Sequence, residues 1–489
     1  MADETSRAIV IVGGGLSGAL VAIQLLQRAS SPLRVVVIEP RAEVGRGVAY
    51  STVSPAHLLN VRTGNMSIFP EQPEDFLNYL RTTELSNLAP EDFAQRQRFG
   101  AYVSERLASA QRGAAAGVRF EHIRGRAQRI DLDSRGGAEV TREGGSVVRA
   151  RVTLEGGSVV LADAVVVALG NNPPAMPFAN PDGVEILSGW SAAASEGVAK
   201  DDTVLIVGSG LTAVDAVLAL AEREHRGRIR VVSMHGRWPL VHANPQPTTL
   251  APMAVSEGGS VLAILRELRM QARRYEAAGE SWQIGFDQLR PQINPIWRYW
   301  PERERRRFLR HARPLWEIHR HRMPPEAAAI IDRLNQRGQL TTHRGRVIEL
   351  RSSDDGLARV TIASASPNRL LDLKVHRVIV CTGPEPDFRQ AAQPVVRDLI
   401  DRELIQLDSE NLGLLVTDDF ALIQYDDKPS PVLFGLGPQI KGSLWETTAT
   451  PEIRVQARAL AIHLLRVTGK VAASPGLGSD DNASGSPVD

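Results

Sequence analysis

The apolar residues of this 489-residue chain gather in short uninterrupted runs, each closed by glycine and followed by a helical stretch. Ala8–Val12 reads AIVIV, a β-branched run without polar alternation, which predicts a strand buried on both faces of a parallel sheet. Gly13 to Gly18 follow, then ALVAIQLLQRA over Ala19–Ala29, a buried helix, then a second strand, LRVVVIEP, over Leu33–Pro40. Asp202–Glu224 repeats the order: an apolar run, Gly208-Ser209-Gly210, a helix, and then the strand of Ile229–Pro239. Asp163–Pro174 and His376–Phe388 are apolar strands ending on glycine and a proline-containing turn, and Pro431–Pro438 is a last strand with a glycine turn before a helix. This alternation predicts an α/β chain with two Rossmann-like dinucleotide-binding domains. Val118–Ala162 and Leu340–Leu373 instead alternate short apolar runs with Gly, Arg and Asp, which predicts two small antiparallel meanders.

The glycines carry the first chemistry. Gly13 permits the tight turn, Gly15 admits a pyrophosphate to the backbone, and Gly18 lets the helix pack closely on the strand. The helix N-terminus then offers its amides and dipole to the phosphates. Glu39 closes the second strand, roughly 20 residues after the last glycine, where an acid binds the adenosine ribose hydroxyls. NAD and FAD share this signature. A second glycine-rich loop, Glu43–Ser51 with Arg46 and Gly47, resembles the loop that runs along the pyrophosphate and ribityl chain in flavoproteins, and so favours FAD. Arg46 pairs with a phosphate or is a solvated loop arginine. Asn60, in the stretch His57–Val61, and Asn65 are candidates for the flavin's surroundings, whereas Leu58, Leu59 and Met66 read as core packing.

In the second unit Gly208 and Gly210 repeat the turn, and Ala213 stands in place of the third glycine, small enough for close packing. Asp215, on the first turns of the following helix, reads as structural, favoured there by the helix dipole. No acid closes the strand of Ile229–Pro239; Ser233, His235 and Arg237 occupy the turn instead, which suits a 2′-phosphate and favours NADPH over NADH. The last strand ends at Gly437, and Trp445, Glu446, Thr447 and Thr448 between it and the final helix are candidates for the flavin face, the threonines being equally suited to capping that helix. The chain therefore divides into a first part of an FAD domain (1–180), an NAD(P) domain (181–249), a helical insert rich in Arg and Trp (250–334), and a second part completing both domains (335–471). A disordered tail follows (472–489), too poor in apolar residues to offset the entropy of ordering.

Ile296–Arg322 holds Trp297, Trp300 and Trp316 among nine arginines, against only Glu302, Glu304 and Glu317. It reads as a solvated helical face with tryptophan packing, or as a surface where His319, Arg320, His321 or Arg322 anchors an anionic substrate or the NADP phosphates. The formal charge of +1, from 57 basic and 56 acidic residues, gives no global field for nucleic acid or an anionic membrane. A single cysteine, Cys381, excludes a dithiol redox pair, a disulfide within the chain and a cysteine-rich zinc site, and reads as buried packing. The histidines are scattered, and no metal-ligand cluster stands out. No apolar run reaches the about 18 residues of a membrane span, and none near the N-terminus makes an export signal, so the expected compartment is the cytoplasm.

With GGGLSG, GRGVAYS, HLLNV, GSGLTAVD, CTGPEPDF and LWETTATPEIRVQA in this order, nearly the whole chain resembles a bacterial family of FAD/NAD(P)-binding proteins, similar in arrangement to the N-hydroxylating and other class B flavin monooxygenases. The resemblance implies NADPH reduction of FAD, oxygen as co-substrate, and oxygenation of a nitrogen or sulfur of a small molecule through a flavin C4a-hydroperoxide. Two departures are visible. The FxGxxxHxxxWP fingerprint of Baeyer–Villiger enzymes is absent, and Pro438 stands where many flavoproteins place an acid toward the ribityl chain. A reductase or dehydrogenase passing electrons to another acceptor, and a flavin- or NADP-binding sensor, are the competing readings.

Overall fold

The computed structural model describes residues 7–468 apart from 84–86, 134–148, 175, 192–193, 245–247, 249, 252, 254, 256–258, 365–368 and 392. The predicted tail lies outside the described residues. Two sheets dominate, and both have the expected strands at their centres. The first runs Ala421–Ile423, Pro429–Gly435, Ala164–Val167, Arg7–Val12, Leu33–Ile38, Val118–Ile123, all parallel except the short edge strand Ala421–Ile423. Ile9 to Ile11 in its middle strand are wholly buried, in a core shared with the helix Leu16–Arg28 and with Val152 and Ala162 of the small sheet formed by Ala127–Asp133, Arg149–Leu154 and Val159–Ala162, which is why the run carries no polar alternation. Leu16–Arg28 and Thr450–Thr468 pack side by side there, with Leu20, Ile23, Leu460 and Leu464 in one core. Each such side chain contributes about 1.5–3 kcal/mol of burial.

The second sheet runs Leu370–Val375, Ala358–Ser364, Leu340–Ser352, Ile229–Ser233, Val204–Val207, Arg377–Val380, Ile186–Ser188. All of its strands fall in sequence between Ala164–Val167 and Ala421–Ile423 of the first, so one α/β unit is inserted in the other. The two expected crossovers meet: Pro174 and Pro384 form an isolated bridge, and the Glu385 amide donates to the Pro173 carbonyl at 3.0 Å.

The meanders differ from expectation in one respect. Val118–Ile123 is the parallel edge of the first sheet, in register Leu33↔Val118 to Ile38↔Ile123, because its apolar residues continue that sheet's core. The first meander is confined to Ala127–Asp133, Arg149–Leu154 and Val159–Ala162. In the second, Leu340–Ser352 changes partner midway, pairing parallel with Ile229–Ser233 and then antiparallel with Ala358–Ser364.

Residues 261–320 form a run of helices around Trp297, Trp300, Phe308 and Trp316. The next helix, Pro325–Gln336, packs through Ala327, Ala328, Ile331 and Leu334 on the second nucleotide unit instead. Cys381 is buried in that same core, and burial pushes its thiol well above the ordinary range. No helix among the described residues is long and apolar enough to cross a membrane.

Candidate functional site

The first glycine turn is built as its spacing requires. Gly13 has φ +106°, and a Cβ there would lie 2.4 Å from the Ala168 carbonyl oxygen; one at Gly18 would lie 2.0 Å from the Gly13 oxygen. These two glycines are demanded by the protein's own packing. Gly15 is not, since its Cβ would meet only Gly47 at 3.7 Å, an ordinary contact. A glycine with room for a side chain, at the N-terminus of a buried helix, leaves a cradle of the kind a pyrophosphate fills. The Glu39 carboxylate accepts the amides of Gly14 (2.9 Å) and Arg41 (3.1 Å), so the acid sits on the turn itself.

Two more glycine loops close on this turn. The Gly45 amide donates to the Gly14 carbonyl at 2.8 Å, and Gly47, at φ +55°, abuts Gly15. Arg46 pairs with Glu43 at 2.5 Å. From the other end of the chain Gly437, at φ +87°, presses on Ser17, where a Cβ would come within 2.4 Å of the hydroxyl. Residues near 15, 47 and 437 thus converge on one helix N-terminus and fit an extended dinucleotide.

Beyond Gly437 the chain is held by side-chain amides. Asn294 of the helical insert clamps the Glu446 backbone both ways, donating to its carbonyl at 2.9 Å and accepting its amide at 2.8 Å. Thr447 donates to Gln456 at 2.8 Å and contacts the Gly437 carbonyl at 3.3 Å. The Glu446 carboxylate, buried, takes a two-point hydrogen bond from Arg320 at 2.8 and 3.1 Å, and Arg320 also faces Glu452 at 3.9 Å. Trp445 lies on the opposite side of this segment, packed on Trp297 at 4.9 Å and Phe308 at 5.0 Å inside the insert's aromatic core, with the Lys441 ammonium 4.2 Å from its ring.

In the second unit a Cβ at Gly208 would strike the Cys381 carbonyl at 2.3 Å, whereas one at Gly210 would meet nothing within 4 Å, the same division of labour as Gly13 and Gly15. The Ser209 hydroxyl bonds Ser233 at 2.8 Å and the Arg237 carbonyl at 2.6 Å, tying the glycine turn to the strand's end; the Arg237 side chain is exposed. Asp215 joins the units: its carboxylate pairs with Arg96 of the first at 3.0 Å, and its carbonyl contacts His57 Nε2 at 3.1 Å. Burial lowers the His57 pKa, and Nδ1 is held by Thr52 at 2.7 Å.

The arginine-rich segment is largely neutralised. Arg298 pairs with Asp418, Arg306 with Glu302 and Glu410, and Arg307 with Glu304, acids that include partners far away in sequence. His319 is stacked on Phe286 at 5.1 Å beside Trp282, its Nδ1 on the Leu315 carbonyl. Glu317 takes the His321 ring at 3.2 Å; burial pushes its carboxyl up, but His321, Lys441 and Arg313 outweigh that and hold it well below the usual range. Arg322 differs. It is buried, contacts Gln283 and Asp287, and its Nε lacks a hydrogen-bond partner among the described residues.

Arg322 belongs to a junction that sequence reasoning passed over. His242 Nε2 is 3.0 Å from the Asn60 carbonyl, the Ala243 amide donates to Gln283 at 3.0 Å, and Arg62 reaches the Ala243 carbonyl while lying 5.1 Å from the Phe93 ring. A carbonyl only accepts, so the His242 proton is on Nε2. Burial, with Arg322, Arg62 and Arg320 nearby, lowers its pKa to about 4, so the ring is neutral and in a positive field. Nothing local in the sequence marks His242 or Arg62; only the fold brings residues 60–62, 242–243 and 283–322 together.

Residues 10–172, about a third of the chain, match a family model described as FAD-NAD(P)-binding. No curated protein matches the chain by sequence. Among solved structures it is similar to ornithine N-hydroxylase of Kutzneria sp. 744 with reduced FAD, NADP+ and L-ornithine (TM-score 0.63, 16% identity, 94% of this chain and 99% of that one). It is also similar to the reduced form of ornithine hydroxylase from Pseudomonas aeruginosa (0.63, 17%, 95% and 100%) and to the FAD-bound cadaverine monooxygenase of Erwinia amylovora (0.63, 13%, 99% and 100%). Thioredoxin reductase of Lactococcus lactis lies further off (0.51, 10%, 95% and 100%). At these identities the likeness is one of fold: the chain has the two-Rossmann architecture of these flavoproteins over nearly its whole length.

Proposed function

We propose that the chain is an FAD-dependent oxidoreductase reduced by NADPH that oxygenates a nitrogen or sulfur atom of a small molecule. The observation that carries this reading is the pairing of two glycine cradles, at Gly15 and Gly210, each with room for a Cβ that the protein's own packing does not fill, in units latched by Arg96 and Asp215. Gly15, Gly47, Gly437 and Glu39 would hold the FAD phosphates and ribose, and Gly210 with Arg237 the nicotinamide nucleotide. The flavin, when bound, supplies hydride acceptance and oxygen activation. The protein's share is positioning: Asn294, Arg320 and Gln456 hold the Glu446–Thr447 segment. The ornithine and cadaverine enzymes of the same fold act on small amines, and the positive junction of Arg62 and Arg322 suits a substrate that also bears an anionic group.

A disulfide reductase with the fold of the thioredoxin reductase would need a thiol pair, and this chain has one cysteine, buried. Electron transfer to another acceptor is distinguished by stopped-flow mixing of the NADPH-reduced protein with oxygen. A transient absorbing species before oxidised flavin returns supports the monooxygenase. Immediate return of oxidised flavin supports a reductase, and protein that neither retains FAD nor oxidises NADPH overturns both.

A further inference from the structure

We infer that Arg344, on the strand next to the nucleotide strand, is a specificity residue that grips the 2′-phosphate of NADPH together with Arg237, with Arg346 as an outer partner. The inference rests on the reading that the second unit takes NADPH. It starts from register. Ser233, the last residue of Ile229–Ser233, is the parallel partner of Arg344. Neighbours directly paired in parallel strands present their side chains on the same face. The Ser233 hydroxyl bonds Ser209 of the glycine turn at 2.8 Å, so that face is the one toward the nucleotide cradle. Arg346, two residues on, continues the same face, and its guanidinium reaches the Met234 sulfur at 4.0 Å.

The turn after Ser233 lies on Arg344. Gly236 has φ +61°, and a Cβ there would stand 3.1 Å from the Arg344 Cβ. The next residue is Arg237, whose carbonyl is held by Ser209 at 2.6 Å. Arg237, Arg344 and Arg346 therefore stand together at the end of the strand where the adenosine ribose of a bound dinucleotide comes, a place with no acid to take a 2′-hydroxyl.

Charge pairing sets these arginines apart. Further along the same hairpin Arg351 pairs with Glu349 and Asp182, and Arg359 with Asp372. Arg237, Arg344 and Arg346 form no ion pair among the described residues, and all three are exposed. Unpaired guanidiniums at one point favour a dianion, which takes bidentate charge-assisted hydrogen bonds.

The test uses the full-length FAD-loaded protein under anaerobic conditions, with flavin bleaching followed against NADPH and NADH concentration. R344Q should weaken NADPH by about ten- to a hundred-fold, leave NADH unchanged and keep flavin content; R344K should recover part of the loss. Competition by 2′,5′-ADP should weaken in parallel, and competition by 5′-AMP should not. If the wild type prefers NADPH and R344Q keeps that preference, the inference is wrong while the NADPH reading stands. If the wild type binds both nucleotides equally, the NADPH reading falls and the inference with it.

Discussion

Replacing Arg320 by alanine should cost about 3–5 kcal/mol, the range for removing one partner of a buried ion pair. Arg320 and Glu446 have side chains only 7% and 4% exposed, and two hydrogen bonds join them. Removing the guanidinium leaves the Glu446 carboxylate with no ion-pair partner among the described residues, while Glu452 keeps Arg290. E446A should cost less than R320A, because the buried guanidinium left behind still faces Glu452 at 3.9 Å. The double variant R320M/E446M should lie closer to the wild type than either single variant, since two apolar side chains leave no charge without a partner. The coupling is read from a double-mutant cycle on urea unfolding of FAD-loaded protein, followed by both far-UV dichroism and flavin fluorescence, because a chain of two nucleotide units need not unfold in one step. Single-variant losses below about 1 kcal/mol, or a cycle that is simply additive, would refute the buried pair as the lock on the Glu446–Thr447 segment.

G18A should abolish FAD retention, because its Cβ would lie 2.0 Å from a backbone oxygen that cannot move without opening the turn, whereas G210A should fold normally and lose only nucleotide affinity; flavin-to-protein absorbance and NADPH titration separate the two. His242 should make stability depend on pH. Its pKa falls from 6.5 in the unfolded chain to about 4 in the fold, so its contribution is fully present above pH 6.5 and is lost as pH falls toward 4, by up to about 3 kcal/mol. H242N should flatten the urea midpoint across that window, and an unchanged pH profile would show that the ring is not desolvated.

The architecture was legible where one physical demand left one residue type. Gly13, Gly18 and Gly208 are glycines because the backbone itself occupies the Cβ position, and the uninterrupted Val and Ile runs reflect burial on both sheet faces. Asp215 read as structural, but its role in pairing with Arg96 depends on a contact between units 119 residues apart in sequence, which no local pattern encodes. The arginine-rich insert misled for the same reason. Counting Glu302, Glu304 and Glu317 gave a surplus of charge, whereas Glu410, Asp418, Glu446 and Glu452 arrive from distant segments and cancel much of it. Trp445 was drawn toward the flavin by its neighbours in sequence, but its ring fills the insert's aromatic core.

Insertion of one nucleotide unit within the other also explains where the polar locks fall. Hydride transfer needs the two ligands face to face, and two units joined only by crossover strands would be free to rotate about them. The structure places one tie between the two units and another between the helical insert and the first unit. Arg96 and His57 hold Asp215 at the start of the second unit's helix, and Asn294 with Arg320 holds Glu446 beside the first unit's last helix. Both ties are charged and largely buried, so each is costly to break singly and restricts the units to few relative positions. If the cleft must open to exchange the nucleotide, the weaker tie should give way first. Arg96 and Asp215 are the more exposed pair, at 18% and 12% against 7% and 4%, which makes D215N the variant expected to change nucleotide release while R320A changes flavin retention.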